Sequence, residues 1–214
     1  GTAGTVVGVF LGCSYTDPNT NQKTFRQNYP ASTAAGDIVG IVADDPDLVF
    51  KAVVCSATTT VASGAQAMVG QNLAMINNTG STSTGNSKNA VLAPDDTPAT
   101  TDALPLRMLS VVEDSMTSLG TATYASISTA TVTCSALPQA LVVGTDVGSL
   151  DSNGNYVASG SFVDTAASAG ATTFVLNQAP IATLNSTLVF RQYPEGLVKL
   201  NFGQHEYYDA TGTA

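Results

Sequence analysis

Four groups of residues have side chains and spacings suited to chemistry. Asp44, Asp45 and Asp47 place three carboxylates within four positions. Paired acids can share general acid and base work at a glycosidic bond, or offer oxygen ligands to Ca²⁺. Pro46 between them favours a plainer role: it fixes its own φ, biases Asp45 toward extended backbone, and leaves the Asp side chains to cap nearby N–H groups in a turn. Asp151-Ser152-Asn153-Gly154-Asn155 starts like a Ca²⁺ loop, but no Glu follows at the required spacing. It reads instead as a hairpin loop with positive φ at both turn positions, the preference of Asn-Gly. His205 is the single histidine, and no G-x-S-x-G context supplies a nucleophile for it, so it reads as a surface or interface residue. Cys13, Cys55 and Cys134 form no C-x-x-C pair, which speaks against zinc, and their odd number speaks against a complete disulfide framework. Buried thiols are the expectation. No phosphate-cradling glycine motif occurs. The residues therefore predict a protein that is not an enzyme and needs no cofactor or metal.

The elements that must position these groups are strands. Hydrophobic residues make up 43% of the 214, enough for one large β domain or two small ones with a sizeable core. The stretch at residues 37–54 is central: two β-rich runs, 38–42 and 48–54, flank the Asp/Pro cluster and predict a strand–turn–strand hairpin at the middle of a β-barrel core. Before it, residues 5–11 predict a strand stopped by Gly12, and residues 24–29 a half-buried strand ending at Pro30. The Asp17-Pro18-Asn19 signature predicts a turn between them. After it come one or two amphipathic turns around Val61, Ala65 and Met68, then strands at 71–77, 90–92 and 104–112.

From about 119 to 191 the texture shifts to Ala, Thr, Ser and Val, which predicts an inserted second small β domain, a barrel or sandwich. Its strands are expected near 131–135, 140–143, 156–162, 172–176 and 188–190. The segment 196–208 returns to the alternation of the first part and is expected to pair with it. The predicted fold is therefore all-β: a core of residues 1–118 plus 192–214, closed by the C-terminal strand, around an insert of residues 119–191.

Charge excludes one class of partner. Charged residues are only 11%, the net charge is −9, and there are seven Lys+Arg, so affinity for nucleic acid through phosphate neutralisation is not expected. No apolar run reaches the length of a membrane span. The aromatics Phe202, Tyr207 and Tyr208 near the end of the chain are candidates for a protein contact or for closing the core.

Several stretches resemble a family of tailed-bacteriophage virion proteins of the capsid decoration, or cement, type. They are Val7-Gly8-Val9-Phe10-Leu11-Gly12-Cys13 with Tyr15-Thr16-Asp17-Pro18, Tyr29-Pro30-Ala31-Ser32-Thr33, and Val42-Ala43-Asp44-Asp45-Pro46-Asp47. Val69-Gly70-Gln71-Asn72, Thr84-Gly85-Asn86-Ser87, Leu104-Pro105-Leu106-Arg107 and Val198-Lys199-Leu200-Asn201-Phe202-Gly203-Gln204-His205 with Tyr207 continue it. The insert departs from the pattern. The resemblance implies a non-enzymatic protein on the outer surface of the virion, made in the host cytoplasm. It would bridge subunits of the phage major capsid protein as a homo-oligomer, a trimer by preference, with a dimer as the alternative. Tyr15, Asp17, Tyr29, Asp44, Asp45, Asp47, Phe202, His205, Tyr207 and Tyr208 are the implied contact residues. The alternative is a tail- or head-attached adhesin module that binds host-surface glycans through the insert. Family members carry more chain before the first strand, and the opening Gly1-Thr2-Ala3-Gly4 lacks a starting Met, so a preceding segment is expected.

Overall fold

A computed structural model describes residues 7–30, 33–56, 60–81, 83–84, 86–92 and 104–201. The protein is nearly all β, with fifteen strands and two single 3-10 turns, Gln66–Met68 and Glu113–Ser115, among the described residues. No helix there is long and apolar enough to cross a membrane.

The first body is a three-stranded ribbon in the order β2-β1-β3, from β1 (Val9–Thr16), β2 (Lys23–Arg26) and β3 (Val39–Ala43). Gly12 does not stop β1. It sits at φ +154° in a bulge where the register against β3 shifts, and a Cβ there would lie 2.7 Å from the Arg26 carbonyl oxygen. A bulge needs a residue that tolerates positive φ and close backbone, so glycine bends the strand where the sequence suggested an end.

The second body is a six-stranded mixed sheet, ordered β5-β8-β15-β4-β7-β6. It comprises β4 (Val49–Cys55), β5 (Asn72–Leu73), β6 (Met75–Ile76), β7 (Ala90–Leu92), β8 (Leu106–Val111) and β15 (Glu195–Leu200). β15 lies between β4 and β8, antiparallel to both, as its alternating pattern requires: Val198 and Leu200 face the core while Leu197 and Lys199 are half-exposed. The predicted hairpin at the Asp/Pro cluster is overturned. β3 pairs with β1 and β4 with β15, so the two runs belong to different sheets and Asp44–Asp47 is the link between them. Local apolar pattern finds strands but does not choose their partners.

The third body is a closed six-stranded barrel, β10-β13-β12-β11-β14-β9. Its strands run from β9 (Thr117–Ser128) through β10 (Thr131–Cys134), β11 (Asp146–Leu150), β12 (Tyr156–Thr165) and β13 (Thr173–Leu176) to β14 (Thr187–Gln192). The barrel is thus formed by the inserted strands, and the flanking chain forms open sheets. Its interior is filled by Val132, Val147, Val163, Leu188 and Phe190, with Phe174 set edge-on to Phe190 at 5.5 Å.

One strand expectation fails here, and one strand lies outside those expected. Residues 140–143 carry only a bridge from Leu141 to Ala167, and the strand in that region is β11. β9, twelve residues long, has few large apolar side chains, so its strand pattern is weak in the sequence. The loop from β11 to β12 is a hairpin, but only Gly154 has positive φ, at +80°. The Gly154 amide donates to the Asp151 carbonyl at 3.1 Å, and Asp151 Oδ1 accepts from the Asn153 and Asn155 amides at 2.8 Å each. The Asp cap selects a turn followed by a left-handed glycine over the two-residue Asn-Gly form. Asp151 is thereby committed to its own loop, and those hydrogen bonds lower its pKa.

Barrel and sheet share packing. Along β12, Val163 points into the barrel while its neighbour Phe162 joins the sheet core with Met68, Met108, Tyr193 and Val198. Ser63, fully buried, ties the two together: its amide donates to the Val143 carbonyl at 3.1 Å, and its hydroxyl accepts from the Tyr193 amide at 2.8 Å and donates to the Gly64 carbonyl at 2.8 Å.

Candidate functional site

The ribbon is the most unusual surface. β1 and β3 carry apolar residues at successive positions rather than alternate ones, so both faces of the pleat are apolar. Among the described residues, nothing buries the side chains at the outer end. Leu11 is 59% exposed, Val39 56%, Phe10 51% and Ile41 46%, and Phe25 on β2 reaches 72%. Val9, Ile38 and Val42 are exposed as well, and a concentration of exposed large apolar side chains is the kind of surface that marks a contact site. On its inner side the ribbon bounds a cleft of about 760 Å³ against the six-stranded sheet, walled by Val9, Phe10, Phe50, Val198 and Leu200.

At the other end of the ribbon the chain builds a polar pocket. The Tyr15 ring is 1% exposed and meets Tyr29 edge-on at 5.3 Å. The Tyr29 hydroxyl donates to the Thr33 carbonyl and accepts from the Ala35 amide at 3.4 Å, which holds the return loop against β1. Asp37 fastens the same loop: it accepts from the Thr16 amide at 2.9 Å and hydroxyl at 2.7 Å, and pairs with Lys23 at 3.2 Å. The two Thr16 bonds, with Lys23 adding, hold its carboxyl down to about 2. Asp17 Oδ1 accepts from the Asn19 amide at 2.8 Å, and the Asn21 amide closes on the Asp17 carbonyl, so the predicted Asp17-Pro18-Asn19 turn is present. Tyr15, Asp17, Pro18, Asn19, Arg26 and Pro30 line a cavity of about 370 Å³.

A third polar group sits inside the barrel wall. Asp146 is 1% exposed and pairs in register with Arg191. Its Oδ2 accepts from the Tyr156 hydroxyl at 2.7 Å, and the Arg191 guanidinium lies 3.6 Å over the Tyr156 ring. Burial pushes the Asp146 carboxyl up to about 6, against the pull of Tyr156 and Arg191, and burial likewise raises the Tyr156 phenol. Sequence reading misses this cluster because the local apolar pattern puts the strand at residues 140–143, ahead of β11.

The sequence-implied contact residues divide into three sets. Tyr15, Asp17 and Tyr29 come together at the polar pocket. Asp44, Asp45 and Asp47 lie on the link between ribbon and sheet, where Asp45 Oδ1 caps the Asp47 amide at 2.9 Å and the Leu48 amide reaches the Asp45 carbonyl at 3.2 Å. Phe202, His205, Tyr207 and Tyr208 lie outside the described residues. Sequence reasoning misses the exposure of Phe10, Leu11, Val39 and Ile41; the signal is the unbroken apolar run, which also fits a buried strand. All three cysteines are free and buried, and burial raises the thiols of Cys55 and Cys134. Compared with protein-family models, curated proteins and solved structures, the chain matches none.

Proposed function

We propose that this chain is a capsid decoration protein that binds the outer surface of an assembled phage head and bridges major capsid protein subunits, without catalysis. The observation that carries this reading is the β1–β3 ribbon, apolar on both faces and left exposed by the described residues. A ribbon of that kind is stable in water only at a cost, and that cost falls when another protein surface covers it. The ribbon and its link also hold much of the sequence that resembles the cement family, residues 7–18 and 42–47. The low charge supports broad contact, because few ionic groups have to be desolvated. Binding only the assembled lattice stabilises it by mass action, and a homo-oligomer, a trimer in this reading, adds avidity. The barrel of β9–β14 then projects from the shell.

The test mixes the purified protein with phage heads lacking it, both expanded and unexpanded. Saturable binding to expanded heads with a raised melting temperature is expected, and absence of binding to either form would sink the proposal. Leu11→Asp combined with Ile41→Asp should weaken binding at least tenfold. The variant's own stability should change by no more than about 1 kcal/mol, since both side chains are solvent-exposed. Retained affinity would show that the ribbon is not the contact.

A further inference from the structure

The geometry points to the pocket at the β1–β2 end as a binding site for one neutral sugar unit. Its volume of about 370 Å³ is at the lower end of small-ligand cavities, enough for a single pyranose. Its polar groups are placed but not used up. Tyr15, fixed by burial and by Tyr29, lines the cavity, and its hydroxyl has no hydrogen bond among the described residues. Asp17 spends Oδ1 on the Asn19 amide, and among the described residues Oδ2 has no hydrogen-bond partner. Arg26 lines the same cavity and forms no salt bridge among the described residues, with Asp17 or any other acid.

An acceptor, a cationic donor and a hydroxyl around one cavity match the donor and acceptor hydroxyls of a sugar. The two opposite charges tell against a ligand that carries a single net charge. A carboxylate or phosphate drawn to Arg26 meets Asp17, and a cation drawn to Asp17 meets Arg26, whereas a neutral polyol satisfies both. Pro18 and Pro30 supply the apolar walls that a sugar's C–H face needs. The pocket uses none of the exposed apolar residues of the ribbon that carry the capsid reading, although Tyr15 and Asp17 are also among the contact residues that the resemblance implies.

The test titrates the full chain with methyl α-glucoside, α-galactoside and α-mannoside while following amide shifts by NMR. At least one should give saturable, millimolar shifts centred on Tyr15, Asp17 and Arg26. Three variants leave the local frame in place. Tyr15→Phe keeps the packed ring, Asp17→Asn keeps an oxygen for the Asn19 amide, and Arg26→Ala trims an exposed side chain. Each should weaken binding about threefold to tenfold, the effect of one lost hydrogen bond, with the remaining spectrum unchanged. No saturable shift at 50 mM sugar, shifts centred elsewhere, or affinity unmoved by all three variants would each overturn the site. Tighter binding of acetate or phosphate than of any sugar would also overturn it.

Discussion

Replacing Gly144 with alanine is expected to cost about 3–5 kcal/mol and to lower the melting temperature by about 10 °C. Gly144 sits at φ +81°, where an L side chain is strained. Its added Cβ would lie only 1.8 Å from the Ser63 carbonyl oxygen, and 2.9 Å from the carbonyl carbon. Neither atom can step aside as a flexible side chain would, because Ser63 is held by Val143, Gly64 and Tyr193. The barrel loop therefore has to withdraw from the sheet. Gly154 provides the control, with nearly the same φ of +80° but no atom within 4 Å of where a Cβ would stand. Its alanine variant should lose only about 1 kcal/mol, the cost of the backbone conformation alone. Urea melts of the two variants measure the difference. Equal losses would mean that the contact with Ser63 contributes nothing.

The second large effect is on pH. The Asp146 carboxyl moves from an ordinary 3.8 up to about 6 in the folded protein. A raised acid favours the fold in its protonated form, so its contribution is complete below about pH 4 and is lost as pH rises through about 6. The total is about 3 kcal/mol, the free energy that corresponds to moving the carboxyl from 3.8 to about 6. Among the described residues, the groups facing Asp146 are Tyr156 and Arg191, which favour its charged form, and Glu113, which opposes it. Asp146→Asn keeps an oxygen for the Tyr156 hydroxyl and removes the titration. It should match the native chain near pH 4 and exceed it in stability by up to about 3 kcal/mol at pH 8. Denaturant melts across pH 4–8 would show this, and parallel curves for the two proteins would refute it.

Strand identity is largely readable in this sequence, and strand partnership is not. Glu195–Leu200 alternates because one face is core and the other is not, and Leu106–Val111 does so up to Leu109, so both are legible as strands. Thr117–Ser128 is built mainly of Thr, Ser, Ala and Gly, which fit barrel and loop equally well by pattern. The Asp44–Asp47 link has the chemistry of a turn whether the following strand folds back or departs to another sheet. Partner choice there rests on β15, far along the chain, which no local window contains. For the site, Tyr15, Asp17 and Tyr29 stand out individually. Arg26 joins them only through the β1–β2 pairing, in which it faces Cys13.

The placement of β15 also sets an order of events during synthesis. It is the last strand described in the chain and a central one in its sheet, with β4 on one side and β8 on the other. Until it emerges, β5-β8 and β4-β7-β6 are separate fragments with exposed edges, whereas the barrel strands, contiguous from Thr117 to Gln192, already have all their partners. The barrel is therefore expected to fold ahead of the sheet: in pulsed hydrogen exchange its amides protect before those of β4 and β8, which wait for β15 to emerge. A chain truncated before Glu195 would keep its barrel and lose its sheet.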